Sequence, residues 1–94
     1  MSRAQRLSYL LDRFGNEAEW NGQRMHMLVR PARWGDGECN RYLCTAPAAF
    51  LPNVGDKVKI LESDYTVLRA DGVFVQGERI YSWAVLELDG RWGR

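Results

Sequence analysis

His26 is the only histidine in these 94 residues, so acid–base chemistry near neutral pH would have to start from it. It stands in a strand-like run between Met25 and Met27. A nucleophilic triad needs an activated hydroxyl and an orienting acid. Ser8, Ser63 and Ser82 lie in no glycine-flanked elbow, and His26 reads as a surface or barrel-end histidine. Cys39 and Cys44 are five residues apart in one predicted strand, which puts them on opposite faces. They can then neither bridge nor chelate together. One histidine and no C-x-x-C pattern argue against zinc. Asp36, Glu38, Asp56, Glu62 and Asp64 are scattered over predicted turns rather than paired about a pocket. Gly35-x-Gly37 precedes no helical pattern and is not a phosphate loop. These residue types lead us to expect no enzyme, no metal and no cofactor.

Other residues point toward contact. Eleven of the thirteen basic residues are arginine, many of them in the N-terminal half. Arginine suits protein interfaces and phosphate alike. The net charge of +1 argues against a dedicated nucleic-acid groove. Four tryptophans are many for a domain of this size. Trp34 and Trp92 have no evident core to enter and read as interface anchors.

The elements that would position these residues follow from periodicity. Residues 2–14 form an amphipathic helix. Ser2 and Gln5 make a capping box, Ala4, Leu7, Leu11 and Phe14 share a face widened by Leu10, and Gly15 reads as its C′ glycine. Residues 17–20 and 23–33 read as a hairpin about Asn21-Gly22, with Pro31 ending its second strand or leaving it at an edge. Residues 34–38 form a glycine-rich loop, and 39–46 a third strand. Phe50 and Leu51 are expected core plugs in an irregular crossing.

Residues 55–88 read as a β-meander on which the chain is organised. Its strands are 57–61, 65–75 and 79–88. They are separated by a Glu62-Ser63-Asp64 turn and a three-residue Gln76-Gly77-Glu78 loop, with a bulge or bend at Asp71-Gly72. The last strand is apolar on both faces, so we expect it to be covered twice. Strands this closely spaced leave no room for βαβ crossovers. We therefore expect one domain over 1–94, mainly β, a small antiparallel β-barrel or sandwich of about six strands at about 17–88 with an N-terminal α-helix at about 2–14. The predicted core is Leu11, Phe14, Val29, Leu43, Val58, Ile60, Tyr65, Val67, Trp83, Val85 and Leu86. The predicted interface is Leu7, Leu10, Arg13, Arg33, Trp34, Asp36, Glu38 and Trp92. No apolar run approaches the ~20 residues of a membrane span. The opening residues lack a secretory h-region, so we expect a cytoplasmic protein with free thiols.

The order of motifs resembles a known family. A helix ends in F-G (14–15), a strand in V-R-P-A-R (29–33). Then come R-Y-L-C-T-A-P (41–47), G-D-K-V (55–58), S-D-Y-T-V-L-R-A-D-G-V-F-V (63–75) and Y-S-W-A-V-L (81–86). Nearly the whole chain resembles the small head–tail connector, head-closure or minor-capsid proteins of tailed phages, the nearest group being those of Bacillus defective-prophage elements. The resemblance implies a structural virion protein, made and assembled in the bacterial host cytoplasm. It would form a ring with itself, commonly twelvefold, that joins the portal vertex of a filled capsid to the tail. Its partners would be a portal or adaptor protein, tail-side proteins, and packaged DNA passing through without sequence-specific contact; no membrane is implied. In some relatives the loop matching residues 31–38 projects into the channel, and here that stretch is shorter. The alternative reading is an OB- or SH3-like small barrel that binds nucleic acid or peptide through Trp34, Tyr42 and His26.

Because Cys39 and Cys44 are read on opposite faces, reduced and oxidised protein should melt at the same temperature. A native Cys39–Cys44 disulfide found by mass spectrometry would refute that reading.

Overall fold

The computed structural model describes residues 2–32 and 40–89. Helix α1 (Arg3–Phe14) is followed by strands β1 (Asn16–Trp20), β2 (Gln23–Pro31), β3 (Arg41–Pro47), β4 (Lys57–Ile60), β5 (Ser63–Val75) and β6 (Glu78–Leu88). All strand pairs are antiparallel, and the sheet closes into a barrel in the order β1-β2-β3-β6-β5-β4. The seam is β1 on β4, with Ala18 opposite Ile60 and Trp20 opposite Val58. Leu61 N–H adds a bond to Glu17 C=O at 3.1 Å.

Local chemistry sets the ends of the elements. Ser2 Oγ accepts from Gln5 N–H at 3.1 Å, and Gln5 Oε1 accepts from Ser2 N–H at 3.0 Å, so the capping box is formed. Asn21 and Gly22 both have positive φ, as a two-residue type I′ hairpin requires. The β5–β6 loop is also of this kind, built on Gln76 and Gly77, because Val75 already pairs with Glu78. The expected three-residue loop is thus one residue shorter. The turn between β4 and β5 falls at Leu61-Glu62 rather than Glu62-Ser63-Asp64, since Ser63 pairs with Ile60. The expected bend at Asp71-Gly72 is regular in pairing. The register slips on either side of it, with Leu68 the extra residue in β5 and Ile80 the extra residue in β6.

Gly15 is not a left-handed cap; its φ is −85°. It is small because the chain turns tightly against β2 there. A Cβ at Gly15 would stand 2.7 Å from Leu11 O and 3.0 Å from the backbone of Met27.

The barrel interior holds Ala18, Met27, Cys44, Ala46, Phe50, Val58, Ile60, Tyr65, Val67, Ala84 and Leu86. Of the expected core, Leu11, Val58, Ile60, Tyr65, Val67 and Leu86 are buried, and Val29 packs partly against it. Four positions differ. Phe14 is 65% exposed, and Leu43, Trp83 and Val85 are half-buried on the outer wall. Both faces of β6 are apolar, so period alone does not choose between them. The inward face is Ile80, Ser82, Ala84 and Leu86, with small residues at its middle, and opposite these β3 offers Cys44 and Ala46. That leaves space for Phe50, which is wholly buried and meets Trp20 edge-on at 5.1 Å between centroids. A row carrying Trp83 would overfill so narrow an interior. Leu51, the second expected plug, is exposed.

Phe50→Ala should therefore cost about 3–5 kcal/mol in denaturant unfolding. Trp83→Ala should cost about 1–2 kcal/mol, since its side chain is only partly removed from water. Equal losses would mean that the assignment of inner and outer faces is wrong.

Candidate interaction surface

His26 Nδ1 lies 3.4 Å from Asp12 Oδ1, an ion pair that ties β2 to α1 when the imidazole is protonated. Ser8 lines the same cleft, together with Pro47 and Ala49. Ser8 makes no hydrogen bond to His26, so the contact that would activate a nucleophile is missing. No three His, Cys, Asp or Glu side chains converge among the described residues. Cys44 is buried against Met27, Sγ to Sδ 3.3 Å, and burial pushes its thiol up to about 12, where it is neither nucleophile nor ligand. Cys39 lies outside the described residues. Ser63 and Ser82 belong to β5 and β6, and Ser82 Oγ accepts a bond from Arg79 Nε at 3.1 Å.

The surface is more informative. α1 contacts β2, β3 and β6. Leu11 is buried beneath it, with Ala4, Leu7 and Ser8 half-buried alongside. Leu7, expected at an interface, thus faces its own barrel. The opposite side of α1 carries Arg3, Arg6, Tyr9, Leu10 and Arg13, all exposed, with Phe14 at its edge. The Arg13 guanidinium lies 5.8 Å from the Tyr9 ring centroid and 5.7 Å from that of Phe14, and it donates to Tyr9 Oη at 3.2 Å. One cation thus holds two exposed rings in place. Leu10 and Arg13 stand where an interface is expected. Arg33, Trp34, Asp36, Glu38 and Trp92, with most of the 31–38 loop, lie outside the described residues.

A second exposed aromatic marks the far tip of the β5–β6 hairpin. Beyond Tyr81, the last residue of β6 that pairs with β3, the hairpin pairs only with itself. Phe74 is exposed there, with Arg79 stacked 5.5 Å from its centroid. The extra residue Ile80 turns Arg79 to the side of Ser82. Its guanidinium then lies across Gly72, where a Cβ would come within 2.6 Å of it. Sequence period missed this arm because the bulge shifts the alternation by one.

Of the residues proposed for base stacking, Tyr42 and His26 point to opposite sides of the barrel wall. Tyr42 packs inward against Tyr65, with centroids 5.5 Å apart, and His26 faces Asp12. Trp34 is outside the described residues. No helix of the described residues is long and apolar enough to cross a membrane. No family model, curated protein or solved structure matches the chain.

One carboxylate is displaced from its ordinary range. The backbone N–H of Asn53 at 2.9 Å, and then Trp20 Nε1 at 3.1 Å, hold Asp56 below the usual aspartate value. Lowered in the fold, its carboxylate adds stability above the unfolded pKa, and that stability is lost as pH falls through the folded one. Asp56→Ala should therefore lower the melting temperature at pH 7. The gap to wild type should narrow as the buffer is taken below about pH 4, where the unfolded side chain protonates. A gap that widens on acidification would contradict this role.

Proposed function

We propose that this chain is a structural subunit of a tailed phage or prophage particle. It would assemble into a ring that joins the portal vertex of the filled capsid to the tail and so completes the head. The order of motifs along the chain suggests the family. The observation that carries the reading is the outward face of α1. The barrel fills its interior without Tyr9, Leu10 or Phe14, yet these residues stand in water beside three arginines. Exposed aromatic and arginine side chains clustered in this way are the usual anchors of protein interfaces. On this reading the subunit contacts its own copies, a portal or adaptor protein on one side and tail-side proteins on the other. DNA passes through the ring without sequence-specific contact.

The paired substitution Leu10→Ser with Phe14→Ser tests the reading. It should change stability by less than about 1 kcal/mol, because both side chains are already largely solvated. In particles produced with this variant, electron microscopy should show filled or leaked heads without tails. Normal tailed virions from both this variant and a deletion of the whole reading frame would exclude the connector role.

A further inference from the structure

The outer stripe of α1 is built against the interests of the helix itself. Arg3 and Arg6 occupy its first turn, which contains no acidic residue. Cations at a helix N-terminus oppose the macrodipole, where Asp or Glu would stabilise it. Neither arginine makes an ion pair among the described residues. With Leu10 and Arg13 they form one line at spacings of three and four, on the side turned away from the barrel.

A complementary feature lies elsewhere on the same chain. The turn joining β4 to β5 places Leu61 at φ 57°, a left-handed conformation that a γ-branched, non-glycine residue rarely adopts. Leu61 is 62% exposed. Asparagine or glycine would serve a two-residue turn better, so Leu61 is a strained apolar side chain with no core to justify it. Glu62 and Asp64 follow it, both exposed and neither in an ion pair among the described residues, although Lys59 sits opposite Asp64 across the β4–β5 ladder. Beside the turn, Glu17, Glu19, Arg24 and Lys59 line a cleft with Leu61, and Arg24 already pairs with Glu17 at 3.6 Å. One patch is apolar and basic, and the other is apolar and acidic. Among the described residues, Arg3 and Arg6 form no ion pair with Glu62 or Asp64.

We propose that the Leu61–Glu62–Asp64 turn of one copy docks on the Arg3–Arg6–Leu10–Arg13 stripe of α1 in another copy. Leu61 packs beside Leu10 and Phe14, while the arginines meet Glu62 and Asp64. Two different patches of the same chain meet, so repetition of the contact builds a closed or open assembly. This contact rests on the reading of the chain as a subunit that binds its own kind, and it names the surfaces that would do so. Both departures from local preference, the arginines in the first turn and the leucine at positive φ, then have the same cause.

Sedimentation velocity and multi-angle light scattering test the contact, over a concentration series and at two salt levels. Wild type should self-associate, and more weakly at high salt, because the ion pairs lie at a surface. Reversing the stripe (Arg6→Glu with Arg13→Glu) and reversing the turn (Glu62→Lys with Asp64→Lys) should each weaken association by about tenfold or more. Mixing the two reversed proteins should restore it, which a misfolded variant cannot do. Leu61→Asn should raise the melting temperature yet weaken association, since it relieves the backbone and removes the apolar contact. Association that ignores both reversals, or that is not restored by mixing, would overturn this contact and leave the ring reading standing on other surfaces. Restoration that yields a closed dimer would uphold the contact and overturn the ring. A wild type monomeric at every concentration would overturn both. A stripe reversal that abolishes binding to duplex DNA without changing self-association would make the arginines a phosphate surface and overturn the contact.

Discussion

Closure of the sheet through β1 and β4 limits the interior to what a six-stranded barrel can enclose, and most of the molecule follows from that limit. A narrow barrel cannot take large side chains from every strand. Ala18, Cys44, Ala46, Ser82 and Ala84 are the small members, and Phe50 and Met27 fill the volume they leave. The crossing between β3 and β4 is irregular because it must deliver Phe50 to the interior. Its return is fixed by Asp56, whose carboxylate accepts from both Asn53 N–H and Trp20 Nε1. Closure also pairs strand edges that would otherwise be open to other chains.

Once the interior is filled, apolar residues remain. Trp83, Val85, Leu43 and Leu28 lie on the outer wall, Tyr9, Leu10 and Phe14 on α1, Leu61 on a turn and Phe74 on the hairpin tip. Scattered exposed leucines are ordinary on a protein surface. The aromatic rings on α1 and the tip differ because charged side chains hold them in place, Arg13 over Tyr9 and Phe14, and Arg79 over Phe74. A side chain ordered before a partner arrives loses less entropy on binding. The helix itself is anchored through Leu11 and the Asp12–His26 pair, so its outer face is presented on a fixed support.

Much of this was legible in the residues. The Ser2–Gln5 capping box, the Asn21-Gly22 hairpin and the meander from residue 57 to 88 are local signals, carried by side chains a few positions apart, and the structure contains all three. A mainly β barrel or sandwich with one N-terminal helix followed from strand spacing, and the β1–β4 pairing makes it a closed barrel. Leu10 and Arg13 were expected at an interface, and the structure leaves both exposed on the outer side of α1. Leu61 and Phe74 were not. Alternation along 57–61 reads Leu61 as the end of a strand, and the bulge at Ile80 reversed the side on which the tip residues stand.

By itself, then, the sequence determined the capped start of α1 and the Asn21-Gly22 hairpin, since such caps and turns depend on φ, ψ and hydrogen bonds within a few residues. Only the tertiary structure decided which face of β6 turns inward, that β3 lies beside β6, that Phe50 rather than Trp83 fills the centre, and that Gly15 is small to clear Met27. Those choices depend on the volume enclosed by six strands at once, and alternation along one strand shows that it has two faces without showing which one that volume will accept.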